Sequence, residues 1–401
     1  MRVLQLSTHS TLRPNHGGKL RSHHIGRVIE EAGFDVKRVA FCFRTPDDLY
    51  DAREPIIDVA RLRYWERPEF DSFRSTFGCL SDYIPTLAAL KDPSILQEFD
   101  DLVQAADPEV VLLEHPWTWP LLARHAKVRS GEIKVLYSSQ NVETPLKKRI
   151  LAEEGIAPPP GLLEGVEKLE RDLVAHAAAV CCCTQADAEI FTQWGARRVV
   201  VAPNGGVRRK RDHLKDILPW PLEPEQSYAL VVGSGHPPNI SGFMELVAPA
   251  LPRLAVNQRI VVAGGAGHGI LQALATKGLQ SMIEKRLVVL GTIDEFCLDC
   301  AIGNAHVVLL PIQYGGGSNV KTAEALLSGR PTIASEAAIR GFNNFSQAPG
   351  FHVARDPASF AEATLEALNR PFQARMPDFP ALSSLLWEST IDPIVRLIRE
   401  F

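Results

Sequence analysis

The sequence predicts an α/β protein of two domains, each a parallel sheet covered by helices. Three observations carry that expectation. Short β-branched runs alternate with longer helical patterns, the rhythm of parallel strands joined by helices. The same rhythm restarts after a proline-rich break, ILPWPLEPEQ. Finally, 401 residues is about twice the usual single-domain size.

In chain order, residues 1–205 form the first domain. It opens on the strand RVLQLS and a helix running through Gly33, followed by the strand DVKRVAF and later by EVVLLEH, KVLYSS and AAVCCCT. Residues 206–226 read as a linker. The second domain, residues 227–380, carries the strands YALVVGSG, RIVVAGG, RLVVLGT, HVVLLPI and RPTIAS. Residues 381–401 read as a C-terminal helical segment expected to cross back to the first domain. No repeat at solenoid period is evident, and the PPPG stretch from Pro158 to Gly161 is the one low-complexity patch.

Composition excludes several classes. Apolar residues at 45% and charged residues at 22% fit a chain that folds throughout. A formal net charge of -4 offers no general attraction to nucleic acid. The first residues, MRVLQLSTHS, run straight into a β-like stretch without the features of a signal peptide, and no apolar run approaches the roughly 20 residues that span a bilayer. The expected location is the cytoplasm, with peripheral membrane contact left open. Of seven cysteines, Cys181, Cys182 and Cys183 sit in an apparent buried strand, and reduced structural thiols are the favoured reading. Cys297 and Cys300 form a C-x-x-C in a helical pattern, with no second pair at zinc-site spacing.

Open α/β sheets bind ligands beyond the C-terminal ends of their strands, so the informative residues should follow strands. Five groups do: His16-Gly17-Gly18, His115-Pro116-Trp117, Gln140-Asn141-Val142-Glu143, Pro203-Asn204-Gly205 and Gly315-Gly316-Gly317-Ser318. The strongest segment is residues 306–335, strand then glycine loop then helix then strand. Three glycines let backbone approach a ligand, and a helix beginning near Ser318 or Asn319 points its positive end at the same place. Lys321 and Glu324 share one face of that helix, where the lysine suits a phosphate and the glutamate suits ribose hydroxyls. The competing reading is an ordinary glycine turn with a solvated Lys–Glu pair.

This segment, HVVLLPIQYGGGSNVKTAEALLSGRPTIAS, resembles the retaining glycosyltransferases of GT-B architecture, specifically glycosyltransferase family 4, with a G-G-G-[ST]-x-x-K-x-x-E-A-L pattern. The resemblance extends to SGRPTIAS, the Pro203-Asn204-Gly205 turn, the GSGHPPN loop, the Asn141-Val142-Glu143 tripeptide and GVEKLERDLVAHAAAVCCCTQADAEIF. It covers roughly residues 1–345 and is weakest from Asp47 to Pro108. It implies two facing Rossmann-like domains with a cleft between them, the nucleotide sugar being held mainly by the second.

The resemblance also implies roles. Glu324 aligns with a ribose-binding glutamate. Gly315, Gly316, Gly317, Ser318 and Asn319 align with a loop that holds diphosphate and donor sugar through main-chain groups. If Gly316 and its neighbours make such contacts, the loop needs small size and unusual backbone freedom there. The loop of Gly17 and Gly18 looks like the family's mobile glycine loop over donor phosphates, with His16 toward the acceptor; a tight strand-to-helix turn is the competing reading. His115 stands where relatives hold an active-site histidine, although a packed core histidine fits equally. Asn141 and Glu143 match an acceptor-side tripeptide. His115, Lys321 and Glu324 form the expected catalytic set.

Two departures stand out. Many members have a glutamate where this chain has Gly316, and many carry an Arg and a Lys where this chain has Gly233 through Asn239. Gly233 and Asn239 therefore join the expected donor-binding set. Gly264 to Gly269 superficially matches a dinucleotide fingerprint but lies mid-domain, and reads as a loop lining the nucleotide side. The run Arg208 to Arg211 reads as a solvated linker, with an acidic acceptor or lipid phosphate as the minority reading.

The activity implied is transfer of a sugar from a UDP- or GDP-type nucleoside diphosphate sugar to an acceptor hydroxyl, with retention, in polysaccharide or glycoconjugate biosynthesis. The acceptor would be a glycan, a lipid-linked or a small molecule; no metal and no further cofactor are expected. A nucleotide-sugar epimerase of the same fold and a non-catalytic nucleotide-sugar-binding protein remain as alternatives.

Overall fold

The computed structural model describes residues 1–12, 14, 16–44, 53–208, 226–279, 284–373 and 380–401. Most of the linker lies outside them, including Arg209, Lys210 and Arg211 of the basic run. The chain divides into two compact units: residues 1–203 with 390–401, and residues 204–389.

The first unit holds a seven-stranded parallel sheet in the order β3-β2-β1-β4-β5-β6-β7. Its strands are β1 (Arg2–Ser7), β2 (Asp35–Cys42), β3 (Ile56–Asp58), β4 (Val110–Leu113), β5 (Lys134–Ser138), β6 (Ala179–Cys182) and β7 (Val199–Val201). β4, sequence VVLL, is buried at all four positions, as a central parallel strand covered on both faces must be. It pairs with β1 from Val3↔Val110 to Leu6↔Leu113. Successive strands on one side of β1 run outward to β3, while β4 onward run the other way, so the order reverses between β1 and β4. That is the topological switch point, where open sheets leave a crevice.

The second unit repeats this logic. Its six strands are β8 (Ser227–Val232), β9 (Gln258–Ala263), β10 (Leu287–Gly291), β11 (Val307–Leu310), β12 (Thr332–Ser335) and β13 (Phe351–Ala354). They run parallel in the order β10-β9-β8-β11-β12-β13. The reversal here falls between β8 and β11. Each sheet has apolar clusters packed on it, Leu4, Leu113 and Tyr137 in the first and Val231, Ile260 and Leu309 in the second.

Eleven strands match runs in the sequence, counting RRVVVA before the Pro203-Asn204-Gly205 turn as β7, and β3 and β13 are additional edge strands. Between β3 and β4 the chain forms 3₁₀ turns at Val59–Leu62, Tyr64–Glu66 and Pro68–Thr76, then the helices Tyr83–Ala89 and Pro93–Ala106. All seven cysteines are free thiols. Burial pushes Cys181 and Cys182 up to about 12, so both stay protonated packing groups. Cys297 and Cys300 lie on the helix Glu295–Asn304. Among the described residues no helix is long and apolar enough to cross a membrane. The last helix, Trp387–Arg399, starts in the second unit and groups with the first from Thr390 onward.

Candidate functional site

At the first switch point, side chains from beyond β1 and β4 meet. Thr8 Oγ1 lies 3.2 Å from His115 Nδ1. The His9 ring stands edge-on to His115 at 5.1 Å between centroids and to His16 at 5.9 Å. His9 Nε2 is 3.1 Å from Ser22 Oγ. Burial, helped by the Lys147 charge, pulls His115 down to about 3, and burial also holds His9 well below the ordinary histidine range. Both are therefore neutral imidazoles at neutral pH, each with one donor and one acceptor nitrogen. Such groups suit a hydroxyl-bearing partner.

His16, Gly17 and Gly18 take the turn reading. The helix Gly17–Glu31 begins at the glycines themselves, with His16 as its cap accepting from the Lys19 N–H at 3.5 Å. These residues form a helix start, which leaves first-turn N–H groups without intrahelical carbonyl partners. Close packing explains Gly18: a Cβ there would come within 2.8 Å of Gln140 Oε1. Gln140, just past β5, donates from Nε2 to Gly18 O and to Ser22 Oγ at 3.3 and 3.2 Å. Gln140 thus braces the helix start.

The next residues carry the acceptor-side tripeptide. Ser139 Oγ donates to Asn141 O at 2.6 Å. Glu143 is buried and opens the helix Glu143–Glu153. Its carboxyl is raised by burial, with Lys147 pulling it back and Asp82 adding to the rise. Lys147 Nζ stands 4.0 Å from Glu143 and 5.5 Å over the Trp117 ring. Behind it, Glu170 accepts from the Glu143 N–H at 3.0 Å and from Tyr137 OH at 2.7 Å. Burial and the nearby Glu143 push Glu170 up to about 8.

The second switch point is built differently. After β8, Gly233 leads through a short loop into the helix Pro237–Gly242, which carries Asn239, and after β11 the glycine loop leads into the helix Val320–Ser328, capped by Asn319. Across the switch point, Lys321 Nζ donates to Asn239 Oδ1 at 2.6 Å, while Asn239 Nδ2 donates to Ser234 O at 2.8 Å. Burial pulls Lys321 down to about 8, opposed by Glu324 one turn away. Lys321 and Glu324 are both half-buried. Gly233 also meets the mid-domain glycine turn: Gly264 has φ 97°, and a Cβ there would come within 2.3 Å of Gly233 O. Only glycine fits that contact.

Within the glycine loop the conformational demand falls on either side of Gly316, at Gly315, with φ 158°, and at Gly317. Gly317 has φ 55°, in the left-handed region, whereas Gly316 is not among the positive-φ residues. Arg340, beyond β12, donates from Nε to Gly317 O at 2.5 Å and from Nη2 to Gly316 O at 3.0 Å. Asn204 donates its N–H to Ser318 Oγ and its Nδ2 to Ser318 O, both at 2.7 Å.

Sequence reading missed Arg340, His9, Lys147, Asp82 and Glu170. Glu170 lies within the stretch GVEKLERDLVAHAAAVCCCTQADAEIF without standing out in it, His9 lies two residues past a strand, and the others sit in no recognisable motif. It also missed Glu54, a buried carboxylate that accepts from Ser10 Oγ at 2.6 Å and from Thr11 Oγ1 at 2.6 Å, fixing the segment after β1.

Comparison with known proteins agrees with this layout. Residues 16–205 match the family described as "Glycosyl transferase 4-like domain", and residues 226–370 match "Glycosyl transferases group 1". Among solved structures the chain is similar to sucrose-phosphate synthase from Thermosynechococcus elongatus, at 15% identity and TM-score 0.70, covering 100% of this chain and 99% of that one. It is similar to Anabaena HepE in complex with UDP and glucose, at 13% identity and TM-score 0.65, with 100% of each chain covered. It is similar also to the catalytic domain of starch synthase IV from Arabidopsis thaliana bound to ADP and acarbose, at 10% identity and TM-score 0.62, covering 100% and 98%. These likenesses show the fold, GT-B. No curated protein sequence matches the chain.

Proposed function

We propose, from the premise that this chain belongs to the GT-B glycosyltransferases, that it moves a sugar from a nucleoside diphosphate sugar to an acceptor hydroxyl with retention at the anomeric carbon. One observation carries the donor half of that reading. The half-buried Lys321 and the start of the helix Val320–Ser328 stand together at the second switch point, where an open α/β sheet takes anions.

In this reading the leaving diphosphate is the group to be stabilised, because the C–O bond to the donor breaks ahead of attack and charge gathers on its oxygens. Lys321 and the N–H groups of Gly315 to Asn319 would hold that charge, with Gly233 and Asn239 shaping the neighbouring wall. Glu324 would accept from the ribose hydroxyls. Gly17 and Gly18 would add first-turn N–H groups. His115 would hydrogen-bond the transferred sugar, and His16, Asn141 and Glu143 would orient the acceptor. A UDP- or GDP-type donor fits the solved neighbours bound to UDP or ADP only as a class, nucleoside diphosphate. The acceptor class is a glycan, a lipid-linked or a small sugar, in polysaccharide biosynthesis, and the reaction is proposed to need no metal.

The test is proton NMR of the chain with a panel of nucleotide sugars and sugar acceptors. The expected result is a new glycosidic anomeric signal whose coupling matches the configuration of the donor. A product of opposite configuration would overturn retention, and interconversion of the donor without an acceptor would replace transfer by epimerisation.

A further inference from the structure

Arg340 stands outside every motif of the donor segment, yet it touches the glycine loop at two successive carbonyls, Gly316 O and Gly317 O. A third donation, Nη1 to Ala337 O at 3.3 Å, ties the guanidinium to its own segment beyond β12. Asn204 takes the next carbonyl, Ser318 O. Three consecutive acceptors of the loop are therefore occupied from within the second unit.

Peptide geometry then fixes the donors of the loop. In a trans peptide the C=O of one residue and the N–H of the next point in opposite directions, and no described peptide here is cis. Holding the carbonyls of Gly316, Gly317 and Ser318 thus turns the N–H groups of Gly317, Ser318 and Asn319 away from Arg340 and Asn204. Among the described residues none of those three N–H groups donates to a backbone acceptor. The left-handed φ of Gly317 lets two neighbouring carbonyls reach one guanidinium. A rigid planar fork with several donors performs this task; a lysine, with a single ammonium, spans the two carbonyls less well.

We propose that Arg340 is a positioning residue that pre-orders the loop's N–H groups for the diphosphate of the donor, an inference that rests on the proposed donor site. Arg340 itself does not touch the ligand. Its positive charge lies behind the loop, and its effect is to spare the ligand the cost of ordering three flexible peptides.

The experiment separates nucleoside contacts from diphosphate contacts. Calorimetry with UDP, GDP and ADP on the full chain finds the diphosphate that the wild type binds. The affinity ratio of that diphosphate to its free nucleoside, the latter read by saturation-transfer NMR, is then measured in wild type, Arg340→Ala and Arg340→Lys. The expected ratio falls ~10-fold in Arg340→Ala, about the worth of one charge-assisted hydrogen bond, and lies between the two in Arg340→Lys, while nucleoside affinity holds. An unchanged ratio overturns the inference, as does an equal loss of both affinities, which would mean a merely structural arginine. If Arg340→Ala does not fold, Arg340→Lys carries the same comparison. A wild type that binds none of the three diphosphates overturns the donor reading together with this inference, whereas binding with an unchanged ratio overturns the inference alone.

Discussion

The two switch points share a topology and differ in chemistry. In the first sheet, between β1 and β4, the crevice is lined by side chains: neutral His9 and His115, with Lys147 set between the raised carboxyls of Glu143 and Asp82. In the second, between β8 and β11, the same position is lined by backbone, with one half-buried cation, Lys321. Neutral imidazoles and balanced ion pairs favour a hydroxyl-rich, uncharged ligand. Peptide N–H groups with a lysine favour an anion. Repetition of a fold thus leaves the ligand class to be set by the residues just beyond the central strands.

If that division is right, changes in the first unit should alter turnover and changes in the second should alter donor affinity. The largest effect is expected for His115→Ala: a loss of kcat on the order of 10²-fold in steady-state kinetics, with donor Kd unchanged, because in the proposed function the imidazole would contact sugar and not diphosphate. Loss of donor affinity instead would erase the distinction between the two crevices.

Gly316 sharpens the second crevice. A carboxylate placed there approaches the anion site, so Gly316→Glu should weaken diphosphate binding about 10-fold even though glutamate is the commoner family residue. Gly316→Ala should bind nearly as wild type, since the left-handed backbone belongs to Gly317. Titrations of both variants, with melting temperatures as a folding control, decide it. An active glutamate variant would mean that this glycine is an unused version of the family's sugar-binding position.

A smaller effect concerns pH. Lys321 is charged below its folded value of about 8 and neutral above it. Affinity for the diphosphate should therefore be full near pH 7 and fall several-fold as pH rises through about 8 to 9, with the bound phosphate shifting the fall upward. A flat profile in that window would remove Lys321 from the diphosphate. The smallest effect is none: turnover in excess EDTA should equal turnover without it, and loss restored only by magnesium or manganese would refute metal independence.

Much of this layout was legible in the sequence for a physical reason. Strands such as VVLL at β4 and β11 are buried on both faces and read as continuous apolar runs. Two edge strands, β3 and β13, were not legible. β3 is only three residues long, and β13, FHVA, exposes its histidine. Similarly, Lys321 and Glu324 are one helical turn apart and announce themselves by spacing, whereas Lys321 and Asn239 are 82 residues apart and meet only through the sheet order. Arg340 reaches its carbonyls across 23 and 24 residues, and backbone acceptors leave no trace in residue identity. The His16-Gly17-Gly18 stretch shows the converse limit. Glycine pairs serve loops and helix starts alike, and only the cap geometry of His16 separates them.

The most direct measurement of the account is calorimetry of the wild type and Glu324→Gln with UDP, GDP and ADP. The account predicts that wild type binds at least one of them, and that Glu324→Gln, with its fold intact, binds that nucleotide more weakly by about 1 to 3 kcal/mol, the range for a hydrogen bond to a charged group. Equal affinity in the two proteins would remove Glu324 from the ribose, and no binding by the wild type would contradict the donor site at the second switch point altogether.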